Sequence, residues 1–389
     1  MKGSLFRLGV PSLAPAVTLL TFEFPPCDGG VSRFCGALAR SLHARGTRTD
    51  VITDARYGHD VGDLIDSVEI VGPARIQREW SALALLRRRV GPGLVVCGVW
   101  YPEGMLASLA RVHPLVILAH GSEFMTSRSV WRRRPWAVLM RRVCEAADLV
   151  VANSEYTRML VLRSSPKAKV VAIPLGVDHK RFNPEGRRDA RERLGVTEKL
   201  VLSSVSRLHE YKGHETVLRA LALLPEMVRQ RLVYLVAGTG PYDVALRREA
   251  DHLELGSTVR WLGFVPEEHL PDLYRASDLF VLCTRETTSQ QEVEGFGLAF
   301  LEAQACATPV VGTRTGGIPD AVKDGEGGWL IDQDDVPGLA RILSQLVEDP
   351  AQFRAAGLTA RRRVERECTW DHYTRRLLTA LEEVGIKLV

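Results

Sequence analysis

The chain has 389 residues, 46% hydrophobic and 25% charged, with 51 basic against 47 acidic side chains. That length exceeds one ordinary domain and supports two cores, and the composition excludes a disordered or fibrous chain. A net charge of +4 is too balanced for nucleic acid to be the main partner.

The opening "MKGSLFRLGVPSLAPAVTLLTFEF" sets basic residues before an apolar stretch, as a signal peptide does. Two prolines interrupt it, however, and it runs straight into a strand and a glycine turn. No run reaches the roughly 18 apolar residues that span a bilayer. The seven cysteines (Cys27, Cys35, Cys97, Cys144, Cys283, Cys306 and Cys368) are odd in number and form no C-x-x-C pair. The expectation is a cytoplasmic protein with reduced thiols and no zinc site, at most peripheral to a membrane.

Short β-branched runs then follow in order: "AVTLLTFEF", "RTDVITD", "DSVEIVG", "LVVCGV", "LVILAH", "LVVANS" and "KVVAIP". Apolar strands separated by helical stretches predict a parallel sheet with crossover helices. The helix after the first strand puts Val31, Phe34, Cys35, Leu38, Ala39 and Leu42 on one 3.6-period face. The run "IPLGVDHKRFNPEGRRDARERLG" breaks the pattern with Pro174, Gly176, Pro184 and a burst of charge, and reads as a linker. Beyond it "LVLSSVSR", "LVYLVAGTG", "TVRWLGFV", "LFVLCT", "TPVVGT" and "GWLI" predict a second doubly wound α/β domain. The last segment is amphipathic, with Trp370, Tyr373, Leu377, Leu378 and Leu381 on one side. It either caps its own domain or crosses back to the first. The expected boundaries are 1–178, 195–368 and a final helix over 369–389.

Ligands of open α/β sheets bind beyond the carboxyl ends of the strands, and several polar groups fall there. Gly29 and Gly30 in "EFPPCDGGVSRF" open a helix whose free N–H groups suit an anion; the other reading is a plain chain reversal. Arg207 and Lys212 in "SVSRLHEYKGHE" are two fixed cations suited to a diphosphate, or ordinary surface charge. In "EGFGLAFLE", Gly295 and Gly297 delay the helix to Leu298. Glu294 therefore precedes it, Glu302 lies inside it, and the N–H groups of Phe296, Gly297 and Leu298 stand at the positive end of its dipole. Carboxylates in those places can accept from sugar hydroxyls. A pair for glycoside hydrolysis is the weaker reading, since nothing suggests water activation. His120 and Glu123 follow a strand in "LAHGSEFM", and Asn153 and Ser154 follow another, where Ser154 also reads as a helix N-cap. Trp131 and Trp136 interleave with six arginines between Arg128 and Arg142, a solvated face or a patch for anionic headgroups.

Together "EGFGLAFLEAQACATPVVGTRTGGIPDAV", "SRLHEYKG", "VAGTGPY" and "GWLI" resemble the retaining glycosyltransferases of family 4 over nearly the whole chain. The resemblance implies the GT-B fold: two facing Rossmann-like doubly wound domains with a cleft between, and a C-terminal helix crossing back to the N-terminal domain. It implies that Glu302 holds the ribose of a sugar nucleotide, Glu294 a hydroxyl of the transferred hexose, and Arg207 with Lys212 the diphosphate. Gly29 and Gly30 would approach the phosphate, His120 the reacting sugar, and Phe264 and Val265 the base. No metal or cofactor is implied, because cations and N–H groups can stabilise the leaving diphosphate.

The long lead-in "CTRETTSQQEVEGFG" resembles the subgroup that holds phosphatidylinositol mannosyltransferases and aminocyclitol-antibiotic glycosyltransferases. The favoured expectation is transfer of a hexose or N-acetylhexosamine from a UDP-sugar to a small acceptor, such as an aminocyclitol. The alternative is a GDP-mannose-dependent mannosyltransferase with a lipid acceptor. Glu123, Arg33 and the arginine-tryptophan segment are the candidates for the acceptor side. A sugar-nucleotide epimerase and a non-catalytic nucleotide-sugar binder are the rival classes, and a nicotinamide oxidoreductase is disfavoured by the missing G-x-G-x-x-G.

Overall fold

The structure is a computed structural model that describes residues 16–27, 29–56, 66–72, 74–88, 93–125, 130–287 and 292–388. The leader-like residues 1–15 and Arg128 lie outside them. The first half runs β1 (Ala16–Leu20), α1 (Gly30–His43), β2 (Arg48–Asp54), β3 (Ser67–Val71), α2 (Arg75–Arg88), β4 (Leu94–Cys97), α3 (Met105–Leu109), β5 (Leu115–Ala119), α4 (Val130–Ala146), β6 (Leu149–Ala152), α5 (Glu155–Ser164) and β7 (Val170–Ala172). Its seven strands form a sheet in the order β3-β2-β1-β4-β5-β6-β7, and the described pairings are parallel. Each strand falls on an expected β-branched run. β4 and β5 are buried at every position, as strands covered on both faces must be.

The second half begins with α6 (Arg187–Leu194), β8 (Leu200–Val205), α7 (His214–Ala222), α8 (Glu226–Arg229), β9 (Leu232–Ala237), α9 (Asp243–His252), β10 (Val259–Gly263) and α10 (Leu270–Ala276). It continues through β11 (Leu279–Leu282), α11 (Leu298–Ala305), β12 (Val310–Thr313), α12 (Ile318–Ala321), β13 (Gly328–Ile331), α13 (Val336–Glu348), α14 (Pro350–Glu367) and α15 (Trp370–Glu383). Six parallel strands run β10-β9-β8-β11-β12-β13. The order reverses beside β8 and β11, the switch point at which doubly wound sheets take ligands. Leu202, Val217, Leu221, Tyr234 and Leu343 are fully buried in its core, each worth roughly 1.5–3 kcal/mol in transfer from water.

One expectation is corrected. The charged run 173–195 is not wholly a linker, because α6 occupies its end and packs on α10. Only Ala190 of this helix is buried, so arginines hold it in place. Arg187 and Arg191 meet the two oxygens of Asp278 at 2.6 and 3.0 Å, and Arg187 Nη1 donates to the Arg275 and Ser277 carbonyls.

The chain forms two compact units, residues 1–117 with 378–389, and residues 118–377. In the second unit the segments that flank residues 178–367 run side by side. Val177 N–H donates to the Cys368 carbonyl at 2.9 Å, and a Cβ on Gly176 would lie 2.5 Å from Trp370 N. All seven cysteines are free thiols. No helix among the described residues is long and apolar enough to cross a membrane.

Candidate active site

The site grows from the carboxyl ends of β8 and β11. After β8, Ser206 N–H donates to the Ala237 carbonyl at 3.1 Å and Leu208 N–H to Thr239 at 2.9 Å, which fixes the turn carrying Arg207. A single 3₁₀ turn, Glu210–Lys212, then brings Lys212 inward. The next residue, Gly213, has φ +69°, and a Cβ there would stand 1.7 Å from the Cys283 carbonyl oxygen. Only glycine lets the turn lie against the end of β11.

Lys212 is 9% exposed. Its Nζ donates to Glu294 Oε2 at 2.5 Å and sits 4.7 Å from the centre of the Tyr211 ring. Burial alone would lower its pKa, but the Glu294 carboxylate and Tyr211 outweigh that cost and hold it above its ordinary value. The ammonium is therefore a permanent, nearly dry cation at neutral pH.

Glycines also press the loop after Glu294 against its neighbours. A Cβ on Gly295 would lie 1.8 Å from the His120 carbonyl oxygen, and one on Gly317 would lie 1.9 Å from the Gly295 carbonyl oxygen and 2.7 Å from Ser154 Oγ. Gly317 N–H donates to the Glu294 carbonyl at 2.9 Å, and Asn153 Nδ2 donates to the His120 carbonyl at 3.0 Å. The structure thus brings together His120, Asn153, Lys212 and Glu294, four of the sequence candidates. Glu123 belongs to the same group, since its carboxylate accepts from His120 N–H. Ser154 proves to be the N-cap of α5, accepting from Thr157 N–H at 3.1 Å.

The two acids of "EGFGLAFLE" divide. α11 starts at Leu298 as the glycines require, with Gly297 as its N-cap at φ +91° and no side-chain cap. Glu294 faces Lys212, whereas Glu302 is 5% exposed and its Oε2 accepts from Tyr274 OH at 2.7 Å. Arg207 is exposed. Phe264 is 62% exposed, while Val265 packs against the cluster of Ala190, Val196 and Leu235.

The description "Glycosyl transferases group 1" matches residues 186–363, and "Glycosyltransferase Family 4" matches residues 28–181. The chain is 31% identical to a GDP-mannose-dependent alpha-(1-6)-phosphatidylinositol monomannoside mannosyltransferase of Mycolicibacterium smegmatis, over 88% of this chain and 92% of that one. The chain belongs to glycosyltransferase family 4. A D-inositol 3-phosphate glycosyltransferase of Actinosynnema mirum is 36% identical over 90% of this chain and 91% of that one. Among solved structures, Anabaena HepE in complex with UDP matches with a TM-score of 0.77 at 20% identity, covering 95% of this chain and all of that one. A sucrose-phosphate synthase from Thermosynechococcus elongatus matches equally well, with a TM-score of 0.77 at 22% identity. The family 4 chain is a glycosyltransferase acting on nucleotide sugars, and its two parallel-sheet Rossmann-like halves are those of the GT-B fold.

In the transferase's first unit, Gly29 is the N-cap of α1 at φ +154°. The first turn of that helix carries no acid and no side-chain cap, so its N–H groups suit an anion. Arg33 lies half-buried in that turn. Glu103 escaped the sequence reading: it is 3% exposed, with Oε1 accepting from Phe22 N–H at 3.0 Å and Oε2 buried without a hydrogen-bond partner. Burial, helped by the nearby Glu23, pushes this carboxyl up to about 7 against the pull of the Phe22 N–H and Arg78. The signal was available, since Glu103 is the only charged residue between Leu94 and Ala110.

Proposed function

We infer that this transferase moves mannose from GDP-mannose to a hydroxyl of an inositol-bearing lipid, with retention at the anomeric carbon and without a metal. The observation that carries the reading is full-length similarity to several mannosyltransferases that share one description. The Mycobacterium tuberculosis relative is 29% identical over 91% of this chain, and a Corynebacterium glutamicum relative is named for the monoacylated form of the same acceptor. This reverses the preference for UDP and an aminocyclitol drawn from the sequence. The relatives named for D-inositol 3-phosphate favour a second reading, in which the acceptor is a soluble inositol phosphate. The two readings share the inositol ring: the first acceptor carries a lipid and one mannose, the second a phosphate alone.

In this scheme Lys212 and Arg207 take the diphosphate. Lys212 has three N–H donors and Glu294 engages one, which leaves two for phosphate oxygens as negative charge develops there. Glu294, held by that ammonium, takes a hydroxyl of the transferred sugar, and Glu302 stands with Tyr274 at the ribose. His120 lies at the reacting sugar. Val265 with the N–H groups of Phe296, Gly297 and Leu298 completes the nucleotide side within residues 118–377. The acceptor hydroxyl attacks on the face the diphosphate leaves, and a leaving phosphate oxygen takes its proton.

The test is incubation with GDP-mannose or UDP-sugars against phosphatidylinositol mannoside in detergent, and against inositol 3-phosphate. The product is then read by NMR. An α-linked mannosyl lipid is expected, formed equally well in EDTA. A β-linked product would overturn retention, turnover only with UDP-sugars would overturn the sugar-nucleotide assignment, and loss in EDTA restored by magnesium would overturn metal independence.

A further inference from the structure

A buried hydrogen-bond chain runs beneath the turn that bears Arg207 and Lys212. Ser206 Oγ lies 2.9 Å from His214 Nε2, His214 Nδ1 lies 2.9 Å from Tyr234 OH, and Tyr234 OH lies 2.7 Å from Ser204 Oγ. Ser204 Oγ closes the chain on the Val281 carbonyl. His214 is 2% exposed, and Tyr234 and Ser204 are fully buried.

A carbonyl oxygen only accepts, so the last link sets the direction of every other. Ser204 must give its proton to Val281, and its oxygen then receives the proton of Tyr234. The Tyr234 oxygen in turn receives a proton from His214 Nδ1. The ring is left with a bare Nε2, which can only accept, and Ser206 supplies the proton. The reverse tautomer would put two oxygens 2.7 Å apart with no proton between them, or send the Ser204 proton away from Val281. Ser206 Oγ also donates toward the Arg207 carbonyl at 3.0 Å, so its one proton is shared between that oxygen and Nε2.

Ser206 and His214 are the two ends of the turn, so their bond closes it. The chain below ties that closure to β8, β9 and β11, the strands at the switch point. The geometry points to His214 as a positioning residue for Arg207 and Lys212, acting as a neutral imidazole protonated on Nδ1. The inference rests on the reading of those two cations as diphosphate ligands, and on nothing about mannose or the acceptor. Neutrality also has an electrostatic cause: burial and the neighbouring Lys212 ammonium push the imidazolium down to about 3. A charged ring at this place would oppose the cation it positions.

The experiment uses the full chain with ¹⁵N-labelled histidine, followed from about pH 5.5 to 8, the range over which an ordinary histidine titrates. One ring should keep a protonated Nδ1 and a bare Nε2 throughout, and that signal should vanish in His214→Gln. Whichever of GDP and UDP the wild type binds more tightly is then titrated by calorimetry. His214→Phe, which keeps bulk but loses both bonds, should weaken binding about tenfold. His214→Gln, which keeps an acceptor for Ser206, should stay within about threefold. A non-titrating ring protonated on Nε2, or wild-type affinity in folded His214→Phe, overturns the inference. Should His214→Phe not fold, Tyr234→Phe serves instead, and an unchanged tautomer in that variant overturns it as well. Both readouts survive if the mannose or lipid reading fails.

Discussion

Lys212 is a buried cation at the heart of the site, 9% exposed and paired with Glu294. Its elevated pKa comes from Glu294 and Tyr211 overcoming burial, so no proton is lost from it across the neutral range. Lys212→Ala should lower kcat on the order of 10²-fold or more through lost stabilisation of the leaving group. Lys212→Arg should recover only part of that loss, because a planar guanidinium sets all its donors in one plane, whereas the compact ammonium radiates three toward Glu294 and the phosphate together. Steady-state kinetics with the natural sugar nucleotide decides this, and full turnover in Lys212→Ala would remove the diphosphate assignment.

Glu103 is a residue-scale case in the first unit. Its carboxyl ionises at about 7 in the fold against 4.5 when unperturbed. The neutral form is the one the fold favours, so its contribution to stability is complete below pH 4.5 and drains away as pH rises through about 7. Glu103→Gln keeps an acceptor for the Phe22 N–H and has no charge to bury. Denaturant unfolding should show the wild type losing a few kcal/mol relative to this variant between roughly pH 5 and 8, and parallel curves would mean that Glu103 ionises freely. Sequence reading selected Arg207, Lys212 and His120 because they follow strand ends, and Glu294 because it brackets a glycine-broken turn with Glu302. It passed over Glu103 and His214, whose significance depends on burial and on partners tens of residues away.

At the scale of elements, the loops meet through glycines instead of side chains. Gly295→Ala would drive a Cβ to within 1.8 Å of the His120 carbonyl oxygen, and a backbone atom cannot rotate out of the way as a side-chain tip can. The expected cost is about 3 kcal/mol, the upper end of overpacking, with loss of transfer even where the fold survives. Thermal unfolding and turnover of this variant, compared with Gly256→Ala where a Cβ meets nothing within 4 Å, separate the close approach from a general effect of glycine replacement. Every strand among the described residues was legible in advance, because each is a short apolar run, most of them β-branched, bounded by turn residues. α6 was not, since its inward face is Arg187 and Arg191 reaching carbonyls and Asp278, and an arginine-rich helix has no apolar period to read. The contacts of Gly295 and Gly317 were equally silent: a sequence shows that a glycine is present, not which backbone lies against it.

At the scale of the whole molecule, the chain leaves its first unit after residue 117 and returns to it at residue 378. The returning segment brings Leu381 at 1% exposure, with Ala380, Ile386 and Leu388 also buried. Leu381→Ala opens a cavity there, worth about 2–5 kcal/mol, and the loss should fall on the first unit alone. Leu343, fully buried on α13 where that helix packs on α7, provides the reciprocal case in the second unit. Calorimetry should resolve two transitions, with Leu381→Ala lowering one and Leu343→Ala the other. Arg207, Lys212, Glu294 and Glu302 all lie within 118–377, so Leu381→Ala should still bind the nucleotide at a temperature where sugar transfer has failed. If both variants move a single shared transition, the two units unfold as one. Nucleotide affinity and transfer would then be lost together, and division of labour between the units could not be argued from how the chain is partitioned.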